Sequence, residues 1–171
     1  DGTSFTMLAL ECVRSPVGGR TWESFLSAEV ARADGGHFAF RGLLDGDSAS
    51  DMRIVRNGAK FVQEGDGLPA IAPFALTGFG SGPLDLARTG QLAGFGDWDD
   101  PDTSRDTGSF VDERLVVQEG VTTVGGVVVA ALSGIQDGYS QSPNGRWLIF
   151  EARLADGRDG AYLVDLSLGQ P

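Results

Sequence analysis

A single cysteine, Cys12, and a single histidine, His37, stand among 171 residues. The first excludes an intrachain disulfide, and the second excludes a zinc site built from several His and Cys ligands. Long apolar runs are missing: the longest candidate, residues 127–132, is strand length and far below the roughly 18 residues of a membrane helix, so no membrane insertion is expected. Positive charge is scarce as well. Lys+Arg number 13 against Asp+Glu 24, a formal net charge of −11, and a surface of that sign repels nucleic acid and anionic lipid. Nucleic acid is therefore not an expected partner. Only Lys60 is a lysine, a bias toward arginine that reads as genomic composition. No charged-then-apolar leader stands at Asp1, as in a processed protein or a piece of a longer one. What is abundant is glycine, 26 of 171, about twice the ordinary ~7% usage, which in a chain 41% hydrophobic points to tight turns between short strands of one globular unit.

A repeat of 55 residues organises those turns. Val62-Gln63-Glu64-Gly65 returns 55 positions later as Val117-Gln118-Glu119-Gly120. Gly35, Gly90 and Gly145 share the spacing, and each is followed five positions later by a phenylalanine, Phe40, Phe95 and Phe150. After each phenylalanine comes an Asp- and Gly-rich turn, around Asp45-Gly46-Asp47, Asp97 to Asp102, and Asp156-Gly157. Within a copy the pattern is that of strands: His37-Phe38-Ala39-Phe40 and Met52-Arg53-Ile54-Val55 alternate, and Asn57-Gly58 is the strongest hairpin signal, since both residues tolerate positive φ. Residues 24–32 have helical propensity, but their repeat mates at 84–88 and 126–133 are glycine-rich or β-branched, so a strand is predicted.

About four strands per 55 residues is the content of a propeller blade, which cannot bury its own faces and needs neighbours. The expected fold is all-β and β-propeller-like, three four-stranded blades in one repeat region, 1–171, that is part of a larger ring; the alternative is a β-sandwich. The boundaries read as 14–67, 68–121 and 122–171, with 1–13 a strand completing a neighbouring or the last blade, because sealing a ring with a terminal strand removes an unpaired edge.

Ser142-Pro143-Asn144-Gly145-Arg146-Trp147-Leu148-Ile149-Phe150, then Asp156-Gly157 and Ala161-Tyr162-Leu163-Val164-Asp165-Leu166, is similar to the repeat of TolB-like β-propellers, in which a Ser-Pro-Asp-Gly turn precedes a strand ending in an aromatic residue. Residues 13–25 with Ala33-Asp34-Gly35-Gly36 and Phe38-Ala39-Phe40 resemble a repeat of secreted bacterial propeller-like proteins. Ser15, Gly19, Thr21 and Trp22 keep the spacing of the Asp-box turn of sialidases, with Val17 where the box has its aspartate. These resemblances imply a bacterial extracellular or cell-surface protein and no particular activity.

Candidate sites are few. Asp97, Asp99, Asp100 and Asp102 form the densest carboxylate run and are the candidate calcium ligands, since calcium wants several oxygens from one loop; the run lacks the Asp-x-Asp-x-Asp-Gly spacing, and a solvated loop tip is the competing reading. No other cofactor is indicated. Trp22, Trp98 and Tyr139, in or beside predicted loops, are candidate glycan-binding rings or plugs between blades. Glu64 and Glu119 recur once per copy, with Glu11 a looser counterpart, and repetition favours a structural duty over a paired-carboxylate glycosidase. His37 has no Gly-x-Ser-x-Gly elbow to serve, and the glycine pairs at 18–19, 35–36 and 125–126 precede neither a helix nor a Gly-Lys-Ser/Thr ending. The functional expectation is a non-catalytic binding or structural module that forms homo-oligomers or joins further blades of the same protein. A glycan- or peptide-acting hydrolase and a lectin-like sugar binder are the alternatives.

Overall fold

The structure is a computed structural model and describes residues 4–15, 18–25, 30–134 and 138–167. Three antiparallel sheets follow one another along the chain. The first contains β1 (Trp22–Ser24), β2 (Val30–Arg32), β3 (Phe38–Leu44), β4 (Met52–Arg56) and β5 (Ala59–Gln63). In the second are β6 (Leu76–Gly78), β7 (Asp85–Leu86), β8 (Leu92–Trp98), β9 (Thr107–Val111) and β10 (Arg114–Gln118). The third holds β11 (Thr123–Val124), β12 (Val127–Leu132), β13 (Tyr139–Gln141), β14 (Trp147–Leu154) and β15 (Asp159–Asp165). Among the described residues the helical segments are two single 3-10 turns, Ser48–Ser50 and Pro69–Ile71. The fold is all-β, and three antiparallel sheets in series fit both the propeller-like arrangement and the β-sandwich. Residues 26–29 of the strand expected over 24–32, and Val17 of the Asp-box spacing, lie outside the described residues.

Each sheet has one plan. Its first strand is broken into two pieces that pair with the same edge of the second, as β1 and β2 do with β3, β6 and β7 with β8, and β12 and β13 with β14. The third strand follows on the other edge, and β5 and β10 complete the first two sheets. In the third sheet β15 pairs with β14, and among the described residues no strand pairs beyond it. The hairpins form where turn chemistry allows them: Asn57 and Gly58 both take positive φ, 52° and 81°, between β4 and β5. Before β14, Gly145 at φ 72° closes a turn in which Asn144 Oδ1 accepts the Arg146 N–H at 3.1 Å.

Cross-strand partners fix the equivalences. Trp22 lies opposite Leu44, Leu76 opposite Trp98 and Val129 opposite Leu154, so Leu44, Trp98 and Leu154 are the same position in three copies. Those residues are 54 and 56 apart, while the turn glycines 35, 90 and 145 are 55 apart. The second copy is thus one residue shorter between its glycine and its strand end. Counted from the strand ends, Phe40 and Phe150 are equivalent and Gly94, not Phe95, is their mate. Because strand residues alternate between faces, that single step turns Phe95 toward the third sheet, whereas Phe150 faces back to the second.

Two cores result. Ala39, Ile54 and Val62 of the first sheet meet Leu76, Leu92, Trp98 and Phe110 of the second. Ala93, Phe95, Val111 and Val117 of the second meet Val129, Leu148, Phe150 and Leu154 of the third. A smaller cluster, Trp22, Phe40, Leu44 and Val55, sits on the outer side of the first sheet, where Ala9 and Phe25 pack on it.

Candidate functional site

The carboxylate run is spent on its own turn. Asp99 Oδ1 accepts the Ala75 N–H at 2.7 Å, and Asp100, buried, accepts the Asp102 N–H at 2.9 Å and pairs with Arg105 at 3.0 Å. Asp102 Oδ1 accepts the Ser104 hydroxyl at 2.6 Å, which holds its carboxyl below the usual range. Asp97 lies within β8, where burial, followed by the nearby Asp106 and Glu119, pushes its pKa up to about 6. The structure does not bring the four predicted calcium ligands together, and among the described residues no three His, Cys, Asp or Glu side chains form a group that could hold a metal ion. The reason is local: an Asx-rich turn satisfies its own backbone donors first.

The aromatic residues expected at loops are inside. Trp22 and Trp98 are each 2% exposed and Tyr139 4%. Trp22 covers Phe25 and Phe40, Trp98 stands edge-on to Phe110, and the Tyr139 hydroxyl donates to the Pro83 carbonyl, with burial pushing its pKa up to about 12. None presents a ring face to a sugar. The two tryptophans are one repeat position exchanged across a pair, Trp22 against Leu44 and Leu76 against Trp98. A large residue is needed once per pair and is met from either strand.

The recurring glutamates do matching work. Glu64 Oε2 accepts the Met52 N–H at 3.0 Å, and Glu119 Oε2 accepts the Thr107 hydroxyl at 2.6 Å, in each case at the first residue of the third strand. Burial, with Asp51 adding to it, raises the Glu64 pKa. At the opposite end of the sheets an open cleft of about 540 Å³ is lined by His37, Arg56, Asn57, Gln91, Asp112 and Asn144, among others. Asn57 Nδ2 is 3.1 Å from His37 Nδ1, and Arg56 pairs with Asp112. Polar residues of all three sheets meet there. Arg41 ties the first sheet to the second by donating to the Phe79 and Gly80 carbonyls at 3.0 and 2.7 Å, and burial lowers its pKa to about 10.

The feature that sequence reading missed is the outer face of the third sheet. Strand β14 alternates without exception, with Leu148, Phe150, Ala152 and Leu154 buried and Ile149, Glu151 and Arg153 exposed. Ile149 lies opposite Leu163 of β15. Counted from the strand ends, the same pair is Ala39 with Arg56 in the first sheet and Ala93 with Val111 in the second. Ala93 and Val111 are 0% and 1% exposed beneath the third sheet, whereas Ile149 is 46% and Leu163 62% exposed. The sequence carries that signal only in its second half, Glu151-Ala152-Arg153-Leu154, because Trp147-Leu148-Ile149-Phe150 is apolar at every position and conceals which row faces outward. Comparison with protein-family models, with curated proteins and with solved structures finds no match to this chain.

Proposed function

We propose that the chain is a non-catalytic binding or structural module, three propeller blades that work against a further sheet. The observation that carries this reading is the Ile149–Leu163 pair, two largely exposed apolar side chains at the position where the second sheet buries Ala93 and Val111 against its next neighbour. Ile149 and Leu163 are 46% and 62% exposed, so association would recover roughly half of the about 1.5–3 kcal/mol that full burial of each side chain contributes. The resemblance to secreted propeller-like repeats adds a bacterial extracellular or cell-surface setting.

The test is a panel of chromogenic glycosides and peptide anilides. No turnover above background is expected. Turnover that Asp97→Asn or Glu119→Gln abolishes would replace this reading with that of a propeller-borne hydrolase.

A further inference from the structure

The opening segment, residues 4–13, carries the backbone signature of a fourth strand whose sheet is not its own. Both complete sheets leave their fourth strand through one turn. The Gly65 N–H donates to the Leu76 carbonyl at 2.8 Å, the Leu76 N–H returns to the Asp66 carbonyl at 3.0 Å, and the Asp66 N–H closes on Gln63 O at 3.0 Å. After β10 the Gly120 N–H donates to Val129 O at 2.8 Å and the Val129 N–H to Thr122 O at 2.8 Å. The bonds of the Gly65 turn recur position for position at the start of the chain, where the Gly120 turn reaches one residue further, to Thr122: Cys12 N–H to Trp22 O at 2.8 Å, Trp22 N–H to Val13 O at 3.0 Å, and Val13 N–H to Leu10 O at 3.2 Å. Trp22, Leu76 and Val129 are the equivalent first-strand residues identified by their cross-strand partners. Cys12 even takes the positive φ of the two glycines, 61° against 85° and 70°. Glu11-Cys12 therefore corresponds to Glu64-Gly65 and Glu119-Gly120, and residues 6–10 correspond to β5 and β10.

Packing agrees with backbone. Val62 of β5 packs into the core that its sheet shares with the second sheet, and Val117 of β10 into the core shared with the third. Ala9, at the matching position, packs on the Trp22 and Phe40 cluster of the first sheet. Yet residues 6–10 form no strand, and Phe5, Met7, Leu8 and Leu10 are all exposed. The molecule thus has, at one end, a fourth strand without a sheet and, at the other, a sheet whose β15 edge has no partner among the described residues.

We infer that residues 6–10 of a second copy of this chain add to the free edge of β15, so that its third sheet stacks on the first sheet of that copy. This rests on the module reading above and names its partner. The register follows from the two existing junctions. Ile54 faces Val62 and Val55 faces Lys60; Ser109 faces Val117 and Phe110 faces Leu115, with the same one-residue bulge in both. Transferred to the third sheet, Ala161 faces the second copy's Ala9, and Tyr162 faces its Met7. The Glu11 N–H then meets Asp159 O as the Glu64 N–H meets Met52 O. A propeller ring takes four to eight blades, and among multiples of three only six falls in that range, so copies of residues 1–171 by themselves close as a pair.

The experiment measures the mass of the 171-residue chain by sedimentation. It then repeats the measurement on a variant lacking residues 1–9, and on Cys12→Ser chains carrying Ala9→Cys with Ala161→Cys under mild oxidation. Twice the chain mass for the parent, a single chain mass for the truncated form with a cooperative urea transition retained, and a covalent dimer for the cysteine pair are the expected results. The offset pair Ala9→Cys with Leu163→Cys should not cross-link. A monomeric parent, a truncated form that still pairs, or equal cross-linking of both cysteine pairs would overturn the exchange. None of these results touches the module reading, which falls only to substrate turnover.

Discussion

Strands β8 and β14 are the same element of the same repeat, yet only one of them reads as a strand with an inside and an outside. In β8, Ala93 and Phe95 are buried against the third sheet, while Leu92 and Trp98 are buried against the first. Strand β14 buries one row in the core it shares with β8 and leaves Ile149, Glu151 and Arg153 in water. The backbone pairing is alike, so the difference belongs to the neighbours and not to the strands. A sheet between two others buries both rows of its strand, and a sheet at the end of a stack keeps an outer face interrupted by the few apolar side chains that a partner would cover.

The sharpest way to break this comparison is to truncate one residue from each face of β14. Phe150→Ala, in the core between the second and third sheets, should lower unfolding free energy by about 3–5 kcal/mol at any protein concentration. Ile149→Ala should cost under ~0.5 kcal/mol in dilute protein and more only where copies associate. Urea unfolding at two concentrations a hundredfold apart checks both. Equal, concentration-independent losses would show that the outer face is covered within one chain.

A smaller effect separates the two recurring glutamates. Glu64→Ala leaves the Met52 backbone donor without its carboxylate in a half-buried place and should cost about 1–3 kcal/mol, whereas Glu119→Ala releases a threonine hydroxyl that can turn to another acceptor, at about 0.5–1.5 kcal/mol. A urea midpoint for each variant decides the order, and the reverse order would mean that the copies are less alike than their backbone bonds.

Asp97 tests the same end of the sheets through pH. Its pKa is raised from 3.8 to about 6, chiefly by burial. Stability tied to its protonated form is fully present below pH 3.8 and is lost as pH rises through about 6, because the folded state must then hold a charge that the unfolded chain carries in water. Asp97→Asn should therefore gain on the parent protein between pH 4 and 7, read as the difference of their unfolding midpoints. A difference that does not change with pH would place the carboxylate in solvent.

The architecture was legible where local chemistry decides it. Asn57-Gly58 and Ser142-Pro143-Asn144-Gly145 are turns because their residues accept the required φ and supply their own acceptors. Burial was less legible, because a partner far along the chain decides it. Trp22 and Trp98 stand beside Gly, Asp and Pro, and only Leu44 and Leu76 across the sheet reveal that each is a core residue. The carboxylate run could not be read as solvated or ion-binding from spacing alone, since the deciding contacts are to Ala75, Ser104 and Arg105.

Cys12 shows the same limit at one residue. Glu64-Gly65 and Glu119-Gly120 announce their turn through glycine, but Glu11-Cys12 makes the bonds of the Gly65 turn with a side chain that resists positive φ. A residue other than glycine in that region costs on the order of 1 kcal/mol, and glycine returns part of the gain because it frees the unfolded chain. Cys12→Gly should thus raise stability by about 0.5 kcal/mol while keeping the Cys12 to Trp22 backbone bond. If instead the substitution destabilises the protein, the turn at residue 12 is not the turn at 65 and 120, and the correspondence between residues 6–10 and the fourth strands is broken where it is most easily tested.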